Sequence, residues 1–228
     1  MSAHIETARK SSGFFRATIF VWGFVLACQG IWILAAEFCR PPYFGFPTDP
    51  QTANAAASNR NTAALAASLG VIRGDLWALY SLTYLNLIWG SQSAEHQSNS
   101  STLERARGVA IRALTLAPHD ARVWLALSGV DAPERKWSAL QMSYLTGANK
   151  TDLIPLRLQL ALRSNAIADK QLQQLVYHEI GTIVTRKPEL KPAILAAYRD
   201  ALPIGQQFLE ETLQELDPVL YATLRKKE

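Results

Sequence analysis

His178 and Glu179 stand side by side, as in the first half of a helix that binds zinc through two histidines and uses the glutamate as a base. That chemistry needs a second histidine three residues beyond the glutamate, and Thr182 occupies the position. The four histidines, His4, His96, His119 and His178, lie far apart, and Cys28 and Cys39 are not spaced as a metal pair. No glycine-rich phosphate loop or nucleophile elbow occurs. The expectation is a protein that is no enzyme and takes no cofactor or metal. Asn99-Ser100-Ser101 and Asn149-Lys150-Thr151 match the glycosylation pattern, which has meaning only in a eukaryotic secretory pathway.

Charge excludes a further class. The net charge is +4, part of it in the N-terminal tail, and from Thr151 to Glu228 the charges nearly cancel. No basic patch argues for nucleic acid. Two cysteines exclude a disulfide framework, and Cys39 reads either as a buried or lipid-facing thiol or as a link between two copies of the chain.

The element that positions everything else is ATIFVWGFVLACQGIWILAA, residues 17–36, twenty uncharged residues in which only Thr18 and Gln29 are polar. As a helix it extends about 30 Å, the thickness of a hydrocarbon core. Its nine Leu, Ile, Val and Phe residues favour insertion by about 3–5 kcal/mol. A cleaved leader needs a shorter core and a better site than Leu34-Ala35-Ala36. Val25-Leu26-Ala27-Cys28 resembles a lipoprotein box, but the apolar run continues past it. An uncleaved anchor is the reading. Arg9, Lys10 and Arg16 precede the span and only Arg40 follows closely, which sets residues 1–16 in the cytoplasm and the remainder outside the cytoplasmic membrane, in the periplasm of a bacterium. Gly23, Ala27 and Gly30 mark one small-residue face on which a second helix could pack, so the lipid bilayer is one partner and a homo-oligomer through the span or Cys39 is another possibility.

Residues 37–50, with PPYFGFPTDP at 41–50, read as a stiff linker, with Tyr43, Phe44 and Phe46 suited to the headgroup zone. Residues 51–228 read as helices throughout. Alanine-rich 52–69 is followed by 74–89, whose Leu76, Trp77, Tyr80, Tyr84 and Leu87 draw an apolar stripe. Asp75 and a short core make 74–89 a buried helix rather than a second span. After the polar loop 91–101, helices are expected at 102–117, after Asp120 as a cap, after a capping Asp131 and Pro133, and at 152–163, 170–185, 190–201 and 204–216, with a short one from Asp217-Pro218. No segment alternates with period two, so the domain is all-α.

Pro118, Asn149, Pro188 and Pro218 each close a helix pair, at intervals of 31, 39 and 30 residues. Such spacing marks stacked helical hairpins. Ala106-Arg107-Gly108-Val109-Ala110-Ile111-Arg112-Ala113-Leu114-Thr115-Leu116-Ala117-Pro118 resembles the second helix of a tetratricopeptide repeat. Val123-Trp124-Leu125-Ala126-Leu127 and Leu76-Trp77-Ala78-Leu79-Tyr80 resemble first helices, and 137–148 is a looser second helix. The resemblance covers 73–163 and weakens over 164–218; the period is irregular and the 91–101 loop is long. It implies a tetratricopeptide-like α-solenoid whose concave face, lined by first helices, binds proteins. Arg73, Tyr80, Arg122, Trp124 and Arg157 fall on or beside such helices; either the guanidiniums fork onto an acidic peptide in a groove, or the tryptophan and tyrosine are core and the arginines a solvated face. The layout resembles accessory proteins of bacterial envelope machineries such as polysaccharide export, secretion or cytochrome maturation. A scaffold or adaptor for protein partners is the expectation, with a structural subunit assembled through the span as the alternative.

Overall fold

A computed structural model describes residues 2–41, 46–47, 49–90 and 100–225, most of them helical and none in a strand. Tyr43, Phe44, His96 and Asn99 lie outside the described residues. The first helix, α1 (Ser2–Phe38), makes one continuous rod of the expected tail and span. Its stretch Arg16–Phe38, 23 residues with a mean hydropathy of 2.0, is long and apolar enough to cross a membrane. Its side chains from Ile19 to Leu34 are almost all exposed, which a helix buried in a soluble core would not show.

The alanine-rich segment forms two helices instead of one, α2 (Pro50–Ser58) and α3 (Arg60–Leu69). Asp49 caps α2 by accepting from the Gln51 and Thr52 amides, both at 2.9 Å. The break falls at Asn59, where the Ser58 hydroxyl and the Asn59 amide both donate to the Ala55 carbonyl and compete with the backbone ladder. The expected helix at 74–89 is likewise divided into α4 (Gly74–Leu82) and α5 (Asn86–Gly90). Arg60 secures this break: its guanidinium donates to the Thr83 carbonyl at 2.8 Å and to Asn86 Oδ1 at 2.9 Å, over the Tyr84 ring.

The remaining helices follow the expected breakers closely: α6 (Ser100–Leu116), α7 (Ala121–Val130), α8 (Pro133–Thr146), α9 (Ile154–Leu162), α10 (Lys170–Arg186), α11 (Lys191–Arg199), α12 (Pro203–Leu216) and α13 (Pro218–Arg225). Asp120 caps α7 through the Arg122 amide at 3.0 Å. Asp131 departs from its expected part, because the residue preceding α8 is Ala132. Its carboxylate instead pairs with Arg107 at 2.9 Å and Arg135 at 3.2 Å, joining α6 to the α7–α8 turn.

Helix α4 packs against α3, α6 and α7, and α7 also packs against α6 and α8. Farther along, α9 packs chiefly on α11, and α12 on α13. The largest apolar cluster runs from Phe46 and Leu82 through Leu125, Leu158 and Ile180 to Leu224. Phe46 is therefore a core residue and not a headgroup contact: the chain after α1 folds back onto the domain. Pro41 and Pro47 are buried with it.

Candidate functional site

The five expected groove residues are placed separately, and each of the three guanidiniums is paired with a carboxylate of the chain itself. Arg73 Nη2 lies 2.7 Å from Asp75 and Nη1 lies 2.8 Å from Glu37. The hydrogen bonds that Arg73 donates to Asp75 and then to Glu37 hold its proton more tightly than in free arginine. Arg122 forks onto Asp120 through Nε at 3.1 Å and Nη2 at 2.7 Å. Burial pushes the Asp120 carboxyl up, but the hydrogen bonds and charge of Arg122 outweigh this and keep it below the usual carboxylate range. Half-buried Trp124 donates its indole N–H to the Pro118 carbonyl at 2.7 Å, and Tyr80 shares a hydroxyl contact of 3.2 Å with Tyr84.

Arg157 corrects the expectation most sharply, because it is fully buried. Its Nε donates to Ser143 Oγ at 3.1 Å, and Nη2 donates to the Gly147 carbonyl at 3.1 Å and to the Ser143 carbonyl. These groups belong to the C-terminal end of α8, where unpaired carbonyls favour a cation. Nη1 reaches Glu179 Oε1 on α10 at 3.5 Å, while the Tyr144 hydroxyl donates to Glu179 Oε2 at 3.0 Å. The guanidinium also lies 4.9 Å from the Tyr144 ring centroid. Arg157 thus ties α8, α9 and α10 together from inside. Burial pushes the Glu179 carboxyl up to about 7, because one long ion pair offsets only part of the desolvation. Burial also holds the Tyr144 phenol well above its ordinary value.

The His178-Glu179 pair has no metal geometry: His178 is exposed while Glu179 points into this network. Among the described residues no cluster of three or more histidine, cysteine or acidic side chains could hold a metal ion.

Two features stand out as sites. One is the junction of α1 with the helices after it, where Trp32 Nε1 donates to the Leu69 carbonyl at 2.8 Å and Glu37 pairs with Arg73. Ala36 is buried there against Ala66, Ala67 and Leu76, with Cys39 partly buried beside them. Its sequence signal was Glu37, the first charge after the apolar run, but its partner lies 36 residues on. The other is a groove of 570 Å³ at the meeting of α5 to α9, floored by Leu87, Trp137, Leu140 and Leu160, with Lys136 and Arg163 among its lining. The small-residue face of α1 packs on nothing among the described residues: a Cβ built on Gly23 or Gly30 has no neighbour within 4 Å, and Ala27 is exposed.

Comparison with known proteins returns no matching family model, no matching curated protein and no matching solved structure. The tetratricopeptide resemblance rests on the residues quoted for it.

Proposed function

We propose that the protein is a membrane-anchored scaffold or adaptor, with α1 as a single-pass anchor and the helical domain as a binding platform for protein partners of a bacterial cell-envelope assembly. The carrying observation is the junction. An exposed apolar helix of membrane-spanning length is fastened to the domain by the Trp32–Leu69 hydrogen bond and the Glu37–Arg73 pair, so the domain's orientation to the bilayer is set. The packing of α4 with α6 and of α7 with α8 supports a hairpin-repeat reading of 74–146. Flanking charges support a cytoplasmic N-terminus and an extracytoplasmic domain. Within this reading the α5–α9 groove replaces the dispersed arginines as the partner surface. Its apolar floor with Lys136 and Arg163 suits a segment carrying both apolar and acidic residues.

The open Gly23/Ala27/Gly30 face favours a second reading, a subunit assembled into a larger complex through its span. Co-purification from native membranes separates the two. A Lys136→Glu/Arg163→Glu variant that loses the wild-type partner, while Gly23→Leu/Ala27→Leu/Gly30→Leu retains it, supports the adaptor. The reverse pattern supports the subunit.

A further inference from the structure

The corner between α3 and α4 carries apolar side chains that stand exposed among the described residues: Ile72 is 72% exposed, Val71 46% and Leu65 52%. This corner does not lie beyond the end of α1 but alongside it. Leu69, Gly70 and Ile72 line a crevice of 270 Å³ together with Gln29, Trp32 and Ile33 of the apolar run. At about 1.5 Å per residue, Ile33 lies about 5 Å and Gln29 about 10 Å below Ala36 along the helix axis. Interfacial segments bury to that same depth, about 5–10 Å below the headgroups.

We propose that Val71 and Ile72, flanked by Leu65, insert into the headgroup–acyl boundary of the leaflet in which α1 ends, so that the domain rests on the bilayer as a second, monotopic contact. The inference rests on reading α1 as a membrane span. Lipid is the occupant because the corner is level with exposed residues of α1 that acyl chains must already surround. A soluble partner seated there would have to displace those chains. Charge agrees: Arg40 and Arg73 are paired with Glu37 and Asp75, so the apolar side chains carry the insertion and no cationic cluster is left to seek anionic headgroups. The hydrogen bond from Trp32 to Leu69 keeps the corner at that level, with the indole near the interface that tryptophan favours.

The test uses the full chain with Cys28→Ser and Cys39→Ser, reconstituted in phosphatidylcholine vesicles. An environment-sensitive fluorophore is attached in turn to Ile33→Cys, Val71→Cys, Ile72→Cys and Val219→Cys, the last being an exposed position on α13. Brominated acyl chains are expected to quench the labels at 33, 71 and 72, and aqueous iodide to quench only the label at 219. If bromolipid quenches position 33 while positions 71 and 72 respond to iodide like 219, the inference is overturned and the span stands. If bromolipid also leaves position 33 unquenched, the reading of α1 as a span fails and the inference falls with it.

Discussion

Arg73 grips Glu37 at 2.8 Å and Asp75 at 2.7 Å, so one guanidinium bridges the end of the apolar helix and the first turn of α4. With Trp32 bound to the Leu69 carbonyl a turn and a half earlier, α1 has two fastenings to the helices that follow it. A hinge would have been the natural outcome of a proline-rich exit. The fold uses the exit differently, burying Phe46 and returning the chain to α2.

Removing both fastenings should free α1 without unfolding the helices after it, since the pair is partly solvent-exposed and such pairs contribute little to stability. In Trp32→Phe/Arg73→Ala, nitroxide labels at Val25 and Ile111 should show a broadened distance distribution against a single narrow one in the parent. Circular dichroism should be unchanged. An equally narrow distribution in the variant would show that the apolar packing of Ala36 alone sets the angle.

Arg157→Met should destabilise the domain by about 3–5 kcal/mol, the range for leaving a buried partner charge uncompensated. Glu179 loses its cation and the α8 carbonyls lose their donor. Adding Glu179→Leu to Arg157→Met should recover part of the loss, because the buried carboxyl, which must protonate or stay unpaired without its cation, is then gone. Urea unfolding of the three proteins in detergent micelles measures both effects.

Glu179 should give the domain a pH signature of defined sign. Its folded value, about 7, lies above the 4.5 of a free glutamate. The stability it contributes is therefore fully present below pH 4.5 and is lost as pH rises through 7. Asp120 and Asp217, whose carboxyls are held low, act in the opposite sense, with stability lost as pH falls. The difference between the parent and Glu179→Gln isolates the term. Relative to the parent, the variant should gain stability between pH 4.5 and 7, on the order of 3 kcal/mol at most. A difference that is flat with pH would show that Glu179 stays ionised.

Gly205→Ala should cost about 1–3 kcal/mol by overpacking. A Cβ there would press into the Leu162 backbone carbonyl, which also accepts from the Leu202 amide at 3.0 Å. Backbone cannot swing aside as a side chain can, so α12 would have to move off α9. Gly108→Ala, where a Cβ meets nothing within 4 Å, should be neutral or slightly stabilising and serves as the control in thermal unfolding.

Features that local chemistry decides were legible in the residues. Asp120 caps α7 and Pro118 follows α6 because caps and breakers act within one turn. The apolar run forms a membrane-length helix because its composition allows little else. Contacts between distant residues were hidden. Arg157 falls beside a groove-lining helix by its position in the repeat, yet its setting, Ile-Pro-Leu-Arg-Leu-Gln-Leu-Ala-Leu, carries the contrary signal: an arginine between leucines in an apolar helix is buried or paired. What that context could not supply was Glu179, 22 residues away on another helix. Trp32 and Leu69 were invisible as a pair for the same reason, and Phe46 was misplaced because an aromatic beside prolines fits a headgroup zone as well as a core. The breaks at Asn59 and after Leu82 depend on Ser58, Asn59 and Arg60 finding particular carbonyls, which an alanine-rich helical pattern conceals.

Everything proposed for this protein depends on α1 lying in a bilayer, and alkaline carbonate washing of native membranes, followed by flotation, measures that directly. The full chain should stay entirely with the floating lipid, as a spanning helix does and a peripheral one does not. Recovery of the intact chain in the wash would contradict the anchor, and with it the platform and the membrane-resting corner.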